Sequence, residues 1–198
     1  MFRRAAEAVV QRASYLSELD MVGDADFGVS VSKGFTLAVE RLSREDDPDV
    51  GRVLAVAGET FSMEVGSTIG ALFGSALTEA GKAMEGRKTL DAGGLATILE
   101  AMLAAVKTAG GAAVGDKTLL DALEPAALAA DAAASEEDGG LGRGLAAAAS
   151  AAEAGSDSTA GMVARVGRAS YLGERSRGRV DPGAAFIALF LRSMSRVE

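Results

Sequence analysis

The stretch 31–42, VSKGFTLAVERL, decides the fold class. Val31, Phe35, Val39 and Leu42 recur at spacings of four, four and three, which puts them on one stripe of an α-helix. Working outward, Val9, Val10, Leu16 and Leu19 fit one helical face upstream. Further helical stretches are predicted at about 53–61, 67–83, 95–108, 117–134, 141–154, 159–168 and 183–195. Alternating β-branched runs bounded by turns are scarce. The alanine runs 126–134 and 146–152 favour helix and let neighbouring helices approach closely. The chain reads as all-α, a bundle of about eight helices in a single domain over 1–198, with no internal repeat and no domain boundary.

Composition removes many chemistries. The 198 residues include no Cys and no His, so thiol catalysis, disulfides, imidazole bases, His-bound metals and a Ser-His-Asp triad are excluded. Acid–base or metal chemistry must run on carboxylates, Lys, Tyr, hydroxyls or backbone groups. Twenty basic residues against 28 acidic ones give a net charge of −8, which argues against a nucleic-acid partner. At 48% apolar residues the chain is rich enough to bury a core. No uninterrupted apolar run reaches the roughly 18 residues of a membrane span. Glu7, Gln11 and Arg12 break any signal-peptide core, so the expectation is a soluble cytoplasmic protein without a membrane partner.

Punctuation marks the connections. Asp181-Pro182 supplies an N-cap acceptor followed by a residue suited to a first helical turn, and Pro48 in REDDPD marks a surface turn. The polar, glycine-rich segment 135–144 (SEEDGGLGRG) is the best candidate for a mobile loop.

Four segments could carry chemistry. LDMVGDADFG at 19–28 puts Asp20, Asp24 and Asp26 within seven residues, with Gly23 and Gly28 letting the backbone turn around them. Three crowded carboxylates repel one another unless a cation intervenes, and oxygen ligands suit Mg²⁺ or Ca²⁺; a solvated acidic turn with Asp24 or Asp26 capping the next helix is the plain alternative. VGSTIGALFG at 65–74 offers either free amides for an anion or close helix packing through Gly66, Gly70 and Gly74. GGAAVGDKT at 110–118 imitates a phosphate loop, but Asp116 separates Gly115 from Lys117 and no strand precedes it, so a helix start capped by Asp116 is the better reading. GRASYLGERSRGRVDPGA at 167–184 is a long polar connection, more often functional than idle.

Together these segments resemble the nucleotide-binding (DhaL) subunit or domain of the dihydroxyacetone kinase family. Its signatures are a GDGDHG loop preceded by Asp, a GGTSG-x-LYG helix start, a GDKT-x-x-DAL-x-P helix and a GRASYLGERS-x-G-x-x-DPGA ending. Here they stand as Asp20 with 23–28, then 66–74, 115–125 and 167–184, in that order along nearly the whole chain. The last is close to verbatim.

The resemblance implies a barrel of about eight antiparallel helices with Mg²⁺ and ATP or ADP at one rim. It implies Asp20, Asp24 and Asp26 as magnesium ligands. Phe27, Ser30, Ser67, Thr68 and Ile69 would lie about the phosphates, and Gly115, Glu124, Arg168, Asp181, Pro182 and Gly183 about the nucleoside. It implies a phosphotransferase with no catalytic side chain beyond the metal ligands, acting on a short ketose held by a separate sugar-binding DhaK-like subunit. That partner holds its sugar through a histidine, which this chain lacks. A phosphate-donor subunit and a homodimer are compatible with the family.

Three departures fall in these motifs. Phe27 stands where the family has His, the Asp20–Asp24 interval is one residue short, and Ser67 and Ile69 replace Gly and Ser. They set a non-catalytic, nucleotide-binding regulatory paralogue beside the kinase subunit.

Overall fold

In the computed structural model, which describes residues 1–20 and 25–195, every regular element among the described residues is helical. The chain forms α1 (Phe2–Gln11), α2 (Ala13–Leu19), α3 (Phe27–Leu42), α4 (Val50–Glu64), α5 (Thr68–Ala83), α6 (Ala92–Gly110), α7 (Leu120–Ala134), α8 (Leu141–Ser158) and α9 (Pro182–Ser195). Two 3₁₀ segments, Thr159–Gly161 and Arg168–Ser176, lie between α8 and α9.

Eight of these helices close a ring. Each of α3, α4, α5, α6, α7, α8, α9 and α1 packs on the next in that order, and α1 returns to α3. The smaller α2 lies against α3 and α9. The direction of neighbours is legible in the α4–α5 seam, where a Cβ on Gly51 would stand 2.7 Å from the Gly81 carbonyl oxygen and one on Gly58 2.7 Å from that of Gly74. As the number rises along α4 it falls along α5, so the two are antiparallel. Glycines are required there because backbone meets backbone.

All seven phenylalanines of the chain join one ring-to-ring network in the lumen. Phe35 sits at its centre, 5.1 Å from Phe61, 6.0 Å from Phe73 and 5.6 Å from Phe190. The first of these is edge-to-face and the other two are tilted; edge-to-face pairs add about 0.5–1.5 kcal/mol each beyond area burial. The predicted stripe Val31, Phe35, Val39 is the α3 face that supplies it, with Val31 and Phe35 fully buried. A smaller, apolar cavity of about 380 Å³ opens beside Phe2, Leu42, Leu90 and Met194, at the end where α3 and α9 finish. One helix among those described, α6, is long and apolar enough to cross a membrane, but its Leu95, Leu99, Met102 and Val106 are buried inside the ring.

Several expectations need correction. The first helical segment divides at Arg12, whose N–H reaches back to the Ala8 and Val9 carbonyls. The helix expected at 159–168 is only the short Thr159–Gly161 turn, after which Met162 is extended (φ −90°, ψ 155°). Its backbone groups go to tertiary partners instead: Arg165 N–H to the Asp116 carbonyl, and Gly178 N–H to that of Ala160. The 167–184 connection is not irregular throughout, since Arg168–Ser176 is 3₁₀ with a break at Gly173. Asp116 does not cap α7, which begins at Leu120; its carboxylate accepts from Ala113 N–H. The glycine-rich loop narrows to 135–140, because α8 starts at Leu141. Asp181 caps α9 as expected, accepting from Ala184 N–H at 2.8 Å.

The α4–α5 seam makes a direct test. Gly58→Ala should lower stability by roughly 1–3 kcal/mol through overpacking, about 2–10 °C in Tm. Gly142→Ala, on a position of α8 where an added Cβ meets nothing within 4 Å, should leave Tm unchanged or raise it. Thermal unfolding of both variants checks the contrast.

Candidate functional site

Antiparallel neighbours in a closed ring bring the starts of α3, α5, α7 and α9 to one end. A cavity of about 880 Å³ opens there, lined by residues from all four starts, by Leu19 and Asp20 at the end of α2, by the end of α6, and by 165–171. Helix N-termini present unpaired N–H groups and partial positive charge, so four of them facing one cavity favour an anion.

The α5 start is the clearest case. Ser67 occupies its N-cap but makes no side-chain cap hydrogen bond, and its Oγ is buried without a partner. An N-cap serine ordinarily spends that oxygen on the N2 or N3 amide. Here the hydroxyl has no partner among the described residues, and Ser67, Thr68 and Ile69 all line the cavity. Ile69 is only 5% exposed and its side chain belongs to the core, so the branched residue contributes backbone to the cavity.

Asp20 and Asp26 line the same cavity. Asp26 is the N-cap of α3 yet makes no side-chain cap bond, so its carboxylate is not spent on the helix. Its position is set by Gly28, whose N–H donates to Ser17 Oγ at 3.1 Å and whose missing Cβ would fall 1.8 Å from the Ala13 carbonyl oxygen. Ala25 takes the left-handed φ of 56°, at a position where the family signature has glycine. Asp24 lies outside the described residues. Phe27 lines the cavity but turns edge-on to Phe186 at 6.1 Å.

The remaining predicted residues divide. Arg168, Asp181, Pro182 and Gly183 line the cavity. Ser30, Gly115 and Glu124 are not among its walls: Ser30 donates its N–H to the Asp26 carbonyl, and Glu124 pairs with Lys107 at 3.0 Å. Gly115, at φ 93°, donates its N–H to buried Asp121 at 2.6 Å, and Asp121 also accepts from Thr118 N–H at 2.7 Å. Asp121 and Lys117 were not among the predicted site residues, although both fall in the 115–125 signature. The signal that could have found them is their fixed place in the GDKT-x-x-DAL-x-P signature, together with a charged pair at the entry of a helix with few other polar residues.

Burial pushes the Asp181 carboxyl up to about 7, with the nearby Asp121 charge adding to the effect against the Ala184 and Gly183 amides. Burial likewise holds the Lys117 ammonium below the usual lysine value, against the attraction of Asp181.

Comparison with known proteins identifies the family. The DAK2 domain profile matches residues 21–196. The chain belongs to the DAK2 domain family. It is 36% identical over 193 residues to the ADP-binding subunit DhaL of the PEP-dependent dihydroxyacetone kinase of Escherichia coli, covering 97% of this chain and 91% of that one. It is 32% identical to the ADP-binding subunit DhaL of the PTS-dependent enzyme of Lactococcus lactis, covering 96% and 91%. The crystal structure of the dihydroxyacetone kinase of Citrobacter freundii superposes on the whole chain with a TM-score of 0.77 at 26% identity, and the chain spans 33% of that enzyme. A second structure of that kinase, in complex with AMP-PNP and Mg²⁺, gives a TM-score of 0.76 at 25% identity. As a DAK2 domain, the chain is a member of a kinase family with an all-α ring fold.

Asp181 gives a pH test of the cavity. Between the ordinary carboxylate range and about pH 7 the folded protein holds a proton that the unfolded chain has released, so stability falls as pH rises through that window. Asp181→Asn keeps an oxygen for the Ala184 amide and removes the titration. The Tm of the variant relative to wild type should therefore rise by about 2–6 °C between pH 5 and pH 8.5. A constant difference across that range would place the carboxyl in the ordinary range.

Proposed function

We propose that this chain binds a Mg²⁺–nucleotide, ADP or ATP, in the 880 Å³ cavity and serves as the phosphotransferase subunit of a short-ketose kinase. The observation that carries this reading is the pairing, in one cavity, of an uncapped helix start bearing the buried, unpartnered Ser67 hydroxyl with the two carboxylates of Asp20 and Asp26. The first suits phosphate oxygens and the second a hard cation. The E. coli and L. lactis relatives, described as ADP-binding subunits, and the C. freundii structure with AMP-PNP and Mg²⁺ support it.

The donor set fits magnesium. Asp20 and Asp26, with Asp24 from the same loop, would hold it, and it would neutralise charge on the phosphates. Ser67 Oγ and the Thr68 and Ile69 amides bind the phosphate oxygens. Arg168 and the Asp181–Gly183 turn flank the nucleoside end. Phosphoryl transfer asks chiefly for positioning and electrostatic stabilisation, so a domain without His or Cys suffices. The same absence of histidine assigns a covalently held sugar, and any phosphohistidine donor, to separate subunits. Cytoplasmic residence goes with this reading.

One observation favours a second reading, a nucleotide-binding regulatory paralogue without turnover. Phe27 puts an apolar ring, committed to Phe186, beside the phosphate end.

Thermal unfolding tests the binding. A nucleotide at about 100 times its Kd adds roughly 2.7 kcal/mol, about 5–10 °C in a chain of this size. The shift should need Mg²⁺, vanish with chelator and shrink to near zero in Asp26→Asn, whose Tm without ligand stays near wild type. A shift that is indifferent to Mg²⁺ and to Asp26→Asn would remove the metal assignment. Mixing with a competent sugar-binding subunit then separates the readings: phosphorylated ketose supports the kinase, and binding without product supports the paralogue.

A further inference from the structure

Lys117 is 5% exposed and holds a left-handed backbone with φ 64°, a conformation that side-chain-bearing residues seldom adopt. Its Nζ donates to the carbonyl oxygens of Ser176 at 2.5 Å, Arg179 at 2.7 Å and Met162 at 3.3 Å. An ammonium has three N–H donors, and here each meets a main-chain carbonyl of the same stretch, 162–179. Met162 and Arg179 bracket the 3₁₀ segment Arg168–Ser176, Ser176 is its last residue, and that segment supplies Arg168, Ala169, Ser170 and Tyr171 to the cavity wall.

This stretch has little apolar anchorage. Between 162 and 180 only Ala164 and Ser176 are buried, while Tyr171 is 90% exposed. Polar ties hold it: Ala164 N–H to Ser176 Oγ at 2.9 Å, Arg165 N–H to the Asp116 carbonyl at 3.1 Å, Gly178 N–H to the Ala160 carbonyl, and the Lys117 peg. The peg's other end is equally fixed, because Asp121 binds the amides of Gly115 and Thr118 on either side of Lys117. The start of α7 and the cavity wall are therefore one polar assembly, with a buried charge at its centre.

We infer that Lys117 is a positioning residue for the nucleotide: it pins 162–179 against the α7 entry so that the Arg168–Tyr171 wall is preformed before ligand binds. The inference rests on the nucleotide reading above. A preformed wall spends no ligand binding energy on ordering the segment, so loss of the peg weakens affinity.

The test compares wild type with Lys117→Met, which keeps bulk and loses the ammonium, and Lys117→Asn, which tolerates the left-handed backbone but cannot reach the carbonyls. ADP binding is measured by calorimetry with Mg²⁺ well below Tm, and amide hydrogen exchange is read along the chain without nucleotide. Both variants should bind ADP at least tenfold more weakly, and exchange should speed up across 162–180 while α3, α4 and α5 stay as protected as in wild type. A folded variant that binds ADP within twofold of wild type overturns the inference, as does faster exchange spread evenly over all helices, which would make Lys117 a residue of general stability. Loss of helical structure in Lys117→Asn as well as Lys117→Met overturns it in the same way. If wild type itself binds no ADP, the nucleotide reading fails and the positioning role falls with it; if wild type binds and the variants bind equally, only the positioning role fails.

Discussion

The edge-to-face contact of Phe35 with Phe61, and of Phe61 with Phe73 at 5.0 Å, is the constraint on which the functional end depends. A ring of eight helices has a lumen wider than aliphatic side chains from one face can fill, and the chain meets that need with rings from α3, α4, α5 and α9. With the middle of the lumen packed, the helices hold fixed positions and the α4–α5 backbones can meet at glycine. Only then do the starts of α3, α5, α7 and α9 fall at one end at fixed separations. The cavity is thus a by-product of closing the ring, and its preference for anions follows from helix direction before any side chain is considered.

The two halves of the molecule are held by different forces. The lumen is tied by apolar contact, which is tolerant of sequence provided volume is kept. The cavity wall beyond α8 is tied by single hydrogen bonds from buried polar groups: Thr159 Oγ1 accepts from Asp181 N–H at 2.9 Å, Ser176 Oγ from Ala164 N–H, and Asp121 from two amides. Such bonds are worth little in net stability but costly to leave unmade. They specify one conformation of the wall, which is what a site that recognises a ligand by position requires.

This division also explains what the sequence made legible. Helices with an apolar stripe, such as α3, were visible because the period survives whatever they pack against. The stretch 159–168 misled because its residues favour helix locally while their backbone groups bond to Asp116 and its neighbours, far away in the chain. Residues that would face phosphate or metal were legible by type, since carboxylates between glycines and a small-residue helix start have few other uses. Lys117 was not, because its partners are main-chain carbonyls at 162, 176 and 179, which leave no mark of residue type. Asp116 and Asp121 show the same limit: both suit a helix entry, and only the fold decides that Asp121 shapes the loop while Asp116 folds back on Ala113.

Phe27 and Ile69, two apolar departures from the family signatures, share one structural solution. Each lies at the first turn of a helix whose axis points into the cavity, so its side chain is carried toward the lumen while its backbone stays at the rim. Ile69 joins the buried core, and Phe27 rests on Phe186, itself in contact with Phe35. The partial positive charge of a helix start resides in main-chain N–H groups, which exchanging His for Phe or Ser for Ile does not remove. What the departures take away is side-chain polarity: a hydroxyl at 69 and an imidazole at 27. Under the proposed function, phosphate would therefore be held by backbone N–H groups at these two starts, and the replacements would bear on steps that need a proton donor or a second hydrogen bond there.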